Sequence, residues 1–431
     1  MIKGIIVVTL ILCSQLAFSL VESNQKQSIR NTDSSHSYGC QDGQVYIAES
    51  IPLFLNLTYN VSTHNAWLNL INSANQTIDM GIFYMTLTEG GNYSSAYGGD
   101  LGLDVFKALI NAHQRGVKIR IVQNMPSPSM PADDTEYLAN MGAAEVRSIN
   151  WTRLEGSGIL HTKVIVIDDT SAYVGSANLD WRSLAQVKEL GVVVESCKDL
   201  VMDTSAAFEQ YWAAAAYTSL PKYWSYKYDA KYNASHMAQL NVNSNQNFSM
   251  FLAVSPPSFV SKDRTGDIDA LLAAVNNAQE SVCISVMDYA PTSFYNTPNF
   301  FWPVIDDALR AAAFNRGVKV RLLVSHWNHT NTVIIPQFLH SLAQVGNVTV
   351  RWFQVPDLPF QPQVPFTRVN HAKYMVTEQQ SYVGTSNWSE DYFMDTGGLS
   401  YNIFNPTFTA QLQSIFDRDW NSEYALPITS F

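Results

Sequence analysis

Two short stretches hold the residue types that can do covalent chemistry, and they hold them in the same order. From His161 the sequence reads His-Thr-Lys-Val-Ile-Val-Ile-Asp and runs on to Gly175-Ser-Ala-Asn178; from His371 it reads His-Ala-Lys-Tyr-Met-Val-Thr-Glu and runs on to Gly384-Thr-Ser-Asn387. An imidazole can attack or carry a proton near neutral pH, and an ammonium binds anions. One such pair could be accidental; two, each closed by Gly-x-x-Asn, describe an architecture.

Side chains alternate along an extended strand. His161 and Lys163 therefore share one face while Asp168 takes the other, and His371 and Lys373 stand in the same relation to Glu378. The acid of each copy is expected to anchor structure and not to touch its own histidine. Brought together about a pseudo-twofold axis, the copies would surround one centre with two imidazoles, two ammonium groups and two amides. That set suits a phosphodiester. Lys163, Lys373, Asn178 and Asn387 can bind the non-bridging oxygens and the charge that grows on them. One neutral histidine attacks phosphorus to form a phosphohistidine, and the other gives its proton to the leaving oxygen. The roles then reverse, with water attacking.

An imidazole that attacks through one nitrogen needs an acceptor on the other. Glu189, eleven residues after Asn178, and Asp395, eight after Asn387, fall on or beside the next strand and are the candidates for orienting the histidines. Metal chemistry is the competing reading. Neither pair has a second His, Cys or Asp at ligand spacing, and two lysines would repel a cation, so no metal and no cofactor is expected. His64, His113, His236, His326, His329 and His340 show no paired pattern, and Ser176 and Ser386 are expected to donate hydrogen bonds within the turns.

The elements that must position these residues follow an α/β order. A first strand is expected at Val45–Ile51, a helix through 66–74, a buried strand from Thr77, a helix over Gly102–Gln114, a strand from Val117 and a helix over Asp134–Met141, before the His161 strand. The second half repeats this order, with a helix from Asp269, a strand from Ser281, a helix over Ile305–Asn315 and a strand from Val318. Ala74 and Ala278 are 204 positions apart, Gly116 and Gly317 201, and His161 and His371 210, so the whole half reads as duplicated. The expected organisation is a signal peptide over 1–19, a flexible leader over 20–44, a first lobe over 45–220, a connection over 221–250 rich in Tyr, Asn and Ser, and a second lobe over 251–431. The four prolines of 355–365 read as a rigid loop at the active-site mouth.

With 46% hydrophobic and 15% charged residues in 431, the chain is a packed globular protein, not a disordered one. Lys3, the apolar run after it, and the small residues Ala17 and Ser19 read as a cleaved secretory signal, with a retained anchor as the alternative. Ten Asn-x-Ser/Thr sequons fit the same route. Cys40 and Cys197 are expected to pair, and Cys283, inside Ser-Val-Cys-Ile-Ser-Val, to stay a core thiol. A net charge of -11 argues against a general polyanion-binding surface, so a nucleic acid would be gripped locally, in a cleft.

The double His-x-Lys-x(4)-Asp pattern, with its Glu variant in the second copy, resembles that of the phospholipase D superfamily. Glu49-Ser-Ile-Pro, Gly175-Ser-Ala-Asn-Leu-Asp-Trp-Arg-Ser-Leu, Gln186-Val-Lys-Glu-Leu-Gly, Asn370-His-Ala-Lys-Tyr-Met-Val-Thr-Glu and Gly384-Thr-Ser-Asn-Trp-Ser are similar to the branch that holds the animal lysosomal phospholipase D-like 5′ exonucleases, from about Cys40 onward. The resemblance implies two pseudo-symmetric α/β lobes with mixed central sheets and one shared active site at their interface. It counts His161, Lys163, Asp168, His371, Lys373 and Glu378 as the catalytic set. It also implies no metal requirement, a lysosome-like or extracellular location, and single-stranded nucleic acid or phospholipid as substrate, with a homodimer left open. The cleavable signal departs from those relatives, which carry an N-terminal anchor. Phe353, Phe360, Phe366, Trp388, Tyr392 and Phe393, around the second motif, are the candidate platforms for bases.

Overall fold

Two strands with four apolar residues in six, Thr77–Ile82 and Ser281–Val286, sit inside two sheets. In the computed structural model, which describes Cys40 and residues 42–430, both are buried at five of six positions. A strand covered on both faces needs this composition. The expected signal segment and most of the expected leader lie outside the described residues.

The first sheet comprises β1 (Gln44–Ser50), β2 (Thr77–Ile82), β3 (Lys118–Asn124), β4 (Ala144–Ile149), β5 (Val164–Ile167), β6 (Ser171–Gly175) and β7 (Glu189–Glu195), in the order β1-β7-β6-β5-β2-β3-β4. Strands β2, β3 and β4 pair in parallel and the remainder antiparallel, so the sheet is mixed. The second sheet is built from β8 (Ala238–Val242), β9 (Gln246–Ser255), β10 (Ser281–Val286), β11 (Lys319–Ser325), β12 (Val348–Phe353), β13 (Lys373–Thr377), β14 (Ser381–Gly384), β15 (Gly398–Phe404) and β16 (Ala425–Pro427), with the short Thr265–Gly266 beside β9. Its central run, β9-β15-β14-β13-β10-β11-β12, has the strand order of the first sheet.

Helices α1 (Thr63–Ser73), α2 (Gly99–Gln114), α3 (Asp133–Asn140) and α4 (Lys198–Ala214) belong to the first half. Helices α5 (Asp267–Asn277), α6 (Val304–Arg316), α7 (Ile335–Leu342) and α8 (Pro406–Trp420) belong to the second. In α2, Val105, Phe106, Leu109 and Ala112 recur at helical spacing and are buried. Gly116 (φ 91°) and Gly317 (φ 73°) then turn the chain into β3 and β11, a conformation that costs glycine nothing.

The halves share a core. Val164, Val192, Phe208 and Tyr211 of the first pack in one cluster with Leu252, Tyr374, Leu399 and Tyr401 of the second. The segment 221–250 is not simply a connection, because it carries β8 and the start of β9. Its Asn-rich stretch is the hairpin turn between them, with Asn243, Ser244 and Asn245 at φ 50°, 61° and 76°. Asparagine tolerates this left-handed region, and for that reason a tight turn resembles low complexity in sequence. Cys40 and Cys197 form the expected disulfide, and Cys283 is a buried thiol. No helix among the described residues is long and apolar enough to cross a membrane.

Candidate active site

Each histidine stands on extended chain leading into β5 or β13 and is fixed by the opposite half. The His161 backbone N–H donates to Gly397 O at 2.9 Å, and the His371 N–H donates to Lys188 O at 2.8 Å. Short parallel bridges, Leu160 with Gly397 and Lys188 with Asn370, surround these bonds. The reciprocal crossing brings the imidazoles together with ring centroids 6.5 Å apart.

Lys163 and Lys373 are fully buried, and each ammonium donates to the carbonyl of its own histidine, Lys373 to His371 O at 2.6 Å. Asn178 and Asn387 complete the set. Both are buried, and among the described residues their amide oxygens have no partner; Asn178 Nδ2 makes a long contact to Tyr84 Oη at 3.5 Å, and the Asn387 side chain contacts Asp288 Oδ2, at 3.4 Å from its Nδ2, and the Tyr392 hydroxyl. The weakly held N–H groups of these amides, beside two ammonium groups, leave a place for an anion, since buried donors are otherwise almost always well paired. The Ser176 hydroxyl donates to Leu190 O, within the turn.

The two remaining motif residues do not reach this cleft. Asp168 accepts from the backbone N–H groups of Asn75, Gln76 and Thr77, and Glu378 accepts from those of Gln279, Glu280 and Ser281. As the strand alternation requires, Asp168 and Glu378, which the resemblance counts in the catalytic set, clamp the turns that enter β2 and β10.

Of the two orienting candidates, the structure brings only Glu189 to a histidine, and that histidine belongs to the other half. The fully buried Glu189 carboxylate meets His371 Nδ1 at 2.9 and 3.0 Å. Asp395 does not orient His161. It accepts from Ser157 Oγ at 2.9 Å and Asn296 Nδ2 at 3.1 Å, and stands with Glu390 and Asp391. His161 Nδ1 meets the backbone carbonyl of Thr385 at 3.0 Å instead. The reason lies in the register: Gly398 occupies in β15 the place that Glu189 has in β7, 209 positions earlier. A Cβ there would come within 2.6 Å of Ser386 Oγ and 2.8 Å of Ser255 Oγ.

Electrostatics follow from this packing. Burial takes both imidazoles below the ordinary histidine range. For His161 the charges of Lys163, Lys373 and His371 push in the same direction and hold it well below; for His371 the Glu189 carboxylate opposes the fall. Burial lowers Lys373 to about 7 against the pull of Glu189 and Asp288, and burial with the charge of Lys373 holds Lys163 well below its usual range. Burial alone would raise Glu189, but His371 and Lys373 outweigh it and keep the carboxylate ionised.

Three contributors were missed in sequence: the Thr385 carbonyl, Tyr84 and Asp288; Tyr392, one of the expected base platforms, has its ring 5.1 Å from that of His161. Tyr84 and Asp288 are 204 positions apart, the offset of Ala74 and Ala278, so the duplication itself could have found them. Of the expected base platforms, Phe353, Trp388 and Phe393 are core residues, and Phe360 packs against Phe54 and Tyr97. Phe366 is exposed and stacks on His329. The proline-rich loop crosses to the first half, where Leu358 and Val364 pack with Tyr97 and Trp181.

A family model described as "PLD3/4, PLD-like domain" matches residues 55–358. "Phospholipase D Z" of Dictyostelium discoideum is 66% identical over 407 residues, covering 94% of this chain and 96% of that protein. "5'-3' exonuclease PLD3" of Macaca fascicularis is 41% identical over 396 residues, covering 89% and 80%. Among solved structures, phosphatidylserine synthase of Haemophilus influenzae superposes with a TM-score of 0.55 at 10% identity, over 85% of this chain and 86% of that one, a likeness of fold. With the facing imidazoles already in view, these matches place the chain in the phospholipase D superfamily, in the branch that the PLD3/4 domain describes.

Proposed function

We propose that the chain hydrolyses phosphodiester bonds through a phosphohistidine and acts as a 5′ exonuclease on single-stranded nucleic acid. The observation that carries the chemistry is the pair of imidazoles 6.5 Å apart, each with Nδ1 engaged by an acceptor. A hydrogen on Nδ1 leaves the lone pair of Nε2 free for the cleft. One Nε2 attacks phosphorus as the ester P–O bond breaks, and the leaving oxygen takes a proton from the other imidazolium. Water then attacks phosphorus, gives a proton to the second histidine and releases the first. Lys163, Lys373, Asn178 and Asn387 hold the non-bridging oxygens throughout.

The lowered imidazoles give the reaction an acidic preference. The proton-donating histidine must enter the cycle charged, and its place below the ordinary range puts that form on the acid side. Lys373 loses charge above about 7, which weakens the hold on phosphate in the same direction. Such a preference fits a lysosome-like compartment of the secretory route. The disulfide and the surface sequons agree with that route, but Asn387 is buried and serves the site, not a glycan.

For the substrate, support comes from the relatives named as 5'-3' exonucleases. A second reading, hydrolysis of a phospholipid headgroup, has its own observations: the relatives named phospholipase D Z and Y, and the exposed aromatics Tyr295, Phe300 and Phe301. The purified protein is to be tested at about pH 5 and pH 7 on 5′-hydroxyl single-stranded DNA and on phosphatidylcholine vesicles. The expected result is nucleotide release, faster at the lower pH. Choline release without nucleotide release would replace the nuclease reading by the lipase reading.

A further inference from the structure

The two half-sites differ most where the motif is silent. Two residues past the end of β2 stands Tyr84, and two past the end of β10 stands Asp288. Both are half-buried, and each faces the amide of its own half, Tyr84 Oη meeting Asn178 Nδ2 and Asp288 Oδ2 meeting Asn387 Nδ2. In the first half the neighbourhood is saturated. The Tyr84 hydroxyl donates to Asp180 Oδ2 at 2.9 Å, and Arg182 Nε lies 2.9 and 3.0 Å from the two oxygens of that carboxylate.

Among the described residues, Asp288 has no such counter-ion bonded to it. Its backbone is clamped, since its carbonyl accepts from Trp388 N–H at 2.9 Å and Tyr289 bridges Trp388. Its carboxylate is not: among the described residues, the long contact to Asn387 is its one side-chain hydrogen bond. Burial raises this carboxyl to about 6 against the pull of Lys373, so above that pH a strong acceptor is held one amide away from the place of a phosphate oxygen. Beside Lys373 and two imidazoles a cation is disfavoured there, and beside the substrate's own phosphate a second anion is repelled by the carboxylate. What remains is a neutral donor, a hydroxyl carried next to the phosphoester.

We infer that Asp288 determines specificity in this site, its carboxylate accepting a hydrogen bond from a hydroxyl vicinal to the scissile phosphodiester, the 2′-hydroxyl of a ribonucleotide. This rests on the nuclease reading. It also agrees with it, because the glycerol hydroxyls of phosphatidylcholine are esterified and offer no donor at that place. The 2′-hydroxyl is the group by which a protein distinguishes RNA from DNA. A free carboxylate makes that distinction in favour of RNA, since it loses its partner when the hydroxyl is absent.

The experiment compares two 5′-hydroxyl oligonucleotides that differ only in a ribo- or deoxyribonucleotide at the first position. They are cleaved at one pH above about 6, where the Asp288 carboxyl is ionised, by the native protein, D288N and D288A, and kcat/KM is read as a ratio of ribo to deoxy. The native ratio should exceed one. In D288A it should fall about tenfold, the worth of a hydrogen bond to a charged group, and in D288N by less, since the amide keeps an acceptor oxygen. A ratio unchanged in D288A, with both substrates slowed alike, would overturn the inference and make Asp288 a counter-charge for Lys373. Because each ratio is measured within one preparation, partial loss of fold cancels. Cleavage of neither substrate by the native protein would instead overturn the nuclease reading itself.

Discussion

The two half-sites begin from one motif and end with different second partners. His371 leans on a carboxylate, Glu189, supplied by β7 of the other half, and His161 leans on a neutral carbonyl, that of Thr385. A carboxylate stabilises an imidazolium far more than a carbonyl does, so the proton that a two-histidine site shares at acid pH rests on His371. A duplicated motif thus gives two imidazoles of unequal basicity, and a reaction that needs one attacking lone pair and one proton gains from that inequality.

The comparison breaks most completely if either imidazole is removed. His161→Ala and His371→Ala should each lower kcat by about 10,000-fold or more, because the residues of such a unit fail together. If either variant turned over at the native rate, the paired mechanism would be wrong. Glu189→Gln should come next, with kcat down by roughly 100-fold and the acid-side optimum displaced to lower pH. The sign follows from the contacts: Glu189 raises His371 against burial, so its loss leaves the imidazolium weaker and confines the charged form to more acid solution. An unchanged pH profile would show that the carboxylate only fills space.

How much of this was legible follows from which signals are carried by side chains. The His-Lys pairs, the outward turn of Asp168 and Glu378, and the disulfide were readable, because alternation and residue type determine them. Glu189 was readable as an acid at the start of a strand, but not that it serves the opposite half, since the crossing of Leu160 with Gly397 and of Lys188 with Asn370 is a matter of tertiary pairing. The partner of His161 left no mark, because a backbone carbonyl has no residue type. Asp395 was chosen by distance along the chain, where the register of β14 and β15 puts Gly398 at the decisive place. The Asn-rich stretch misled because the left-handed turn of a hairpin and a linker use the same residues.

A smaller effect separates the clamping acids from the site they border. Asp168 holds its three N–H groups at 2.7 to 2.8 Å, Glu378 its three at 2.7 to 3.3 Å. Asp168→Asn should therefore cost more stability than Glu378→Gln, about 1–2 kcal/mol against about 1, with kcat changed only a few-fold in both. Thermal unfolding beside turnover separates the two quantities. A collapse of kcat without loss of stability would keep Asp168 in the catalytic set.

The smallest effect is expected at Asp395. Its carboxylate bonds Ser157 and Asn296, whereas the bond that ties its neighbourhood to the first half, from Trp151 Nε1 at 2.6 Å, ends on its backbone oxygen and survives substitution. Burial and the neighbouring charges of Asp395 and Asp391 raise Glu390 to about 7, so removing one of these charges relieves repulsion as it weakens the two hydrogen bonds, which then end on a neutral amide oxygen. The two changes oppose each other. Asp395→Asn should keep kcat within about threefold of native, the range of a substitution away from the reacting groups, while Glu189→Gln does not. If instead the two variants lost activity alike and shifted the pH profile alike, the half-sites would be symmetric in function, and the carbonyl of Thr385 would not be what orients His161.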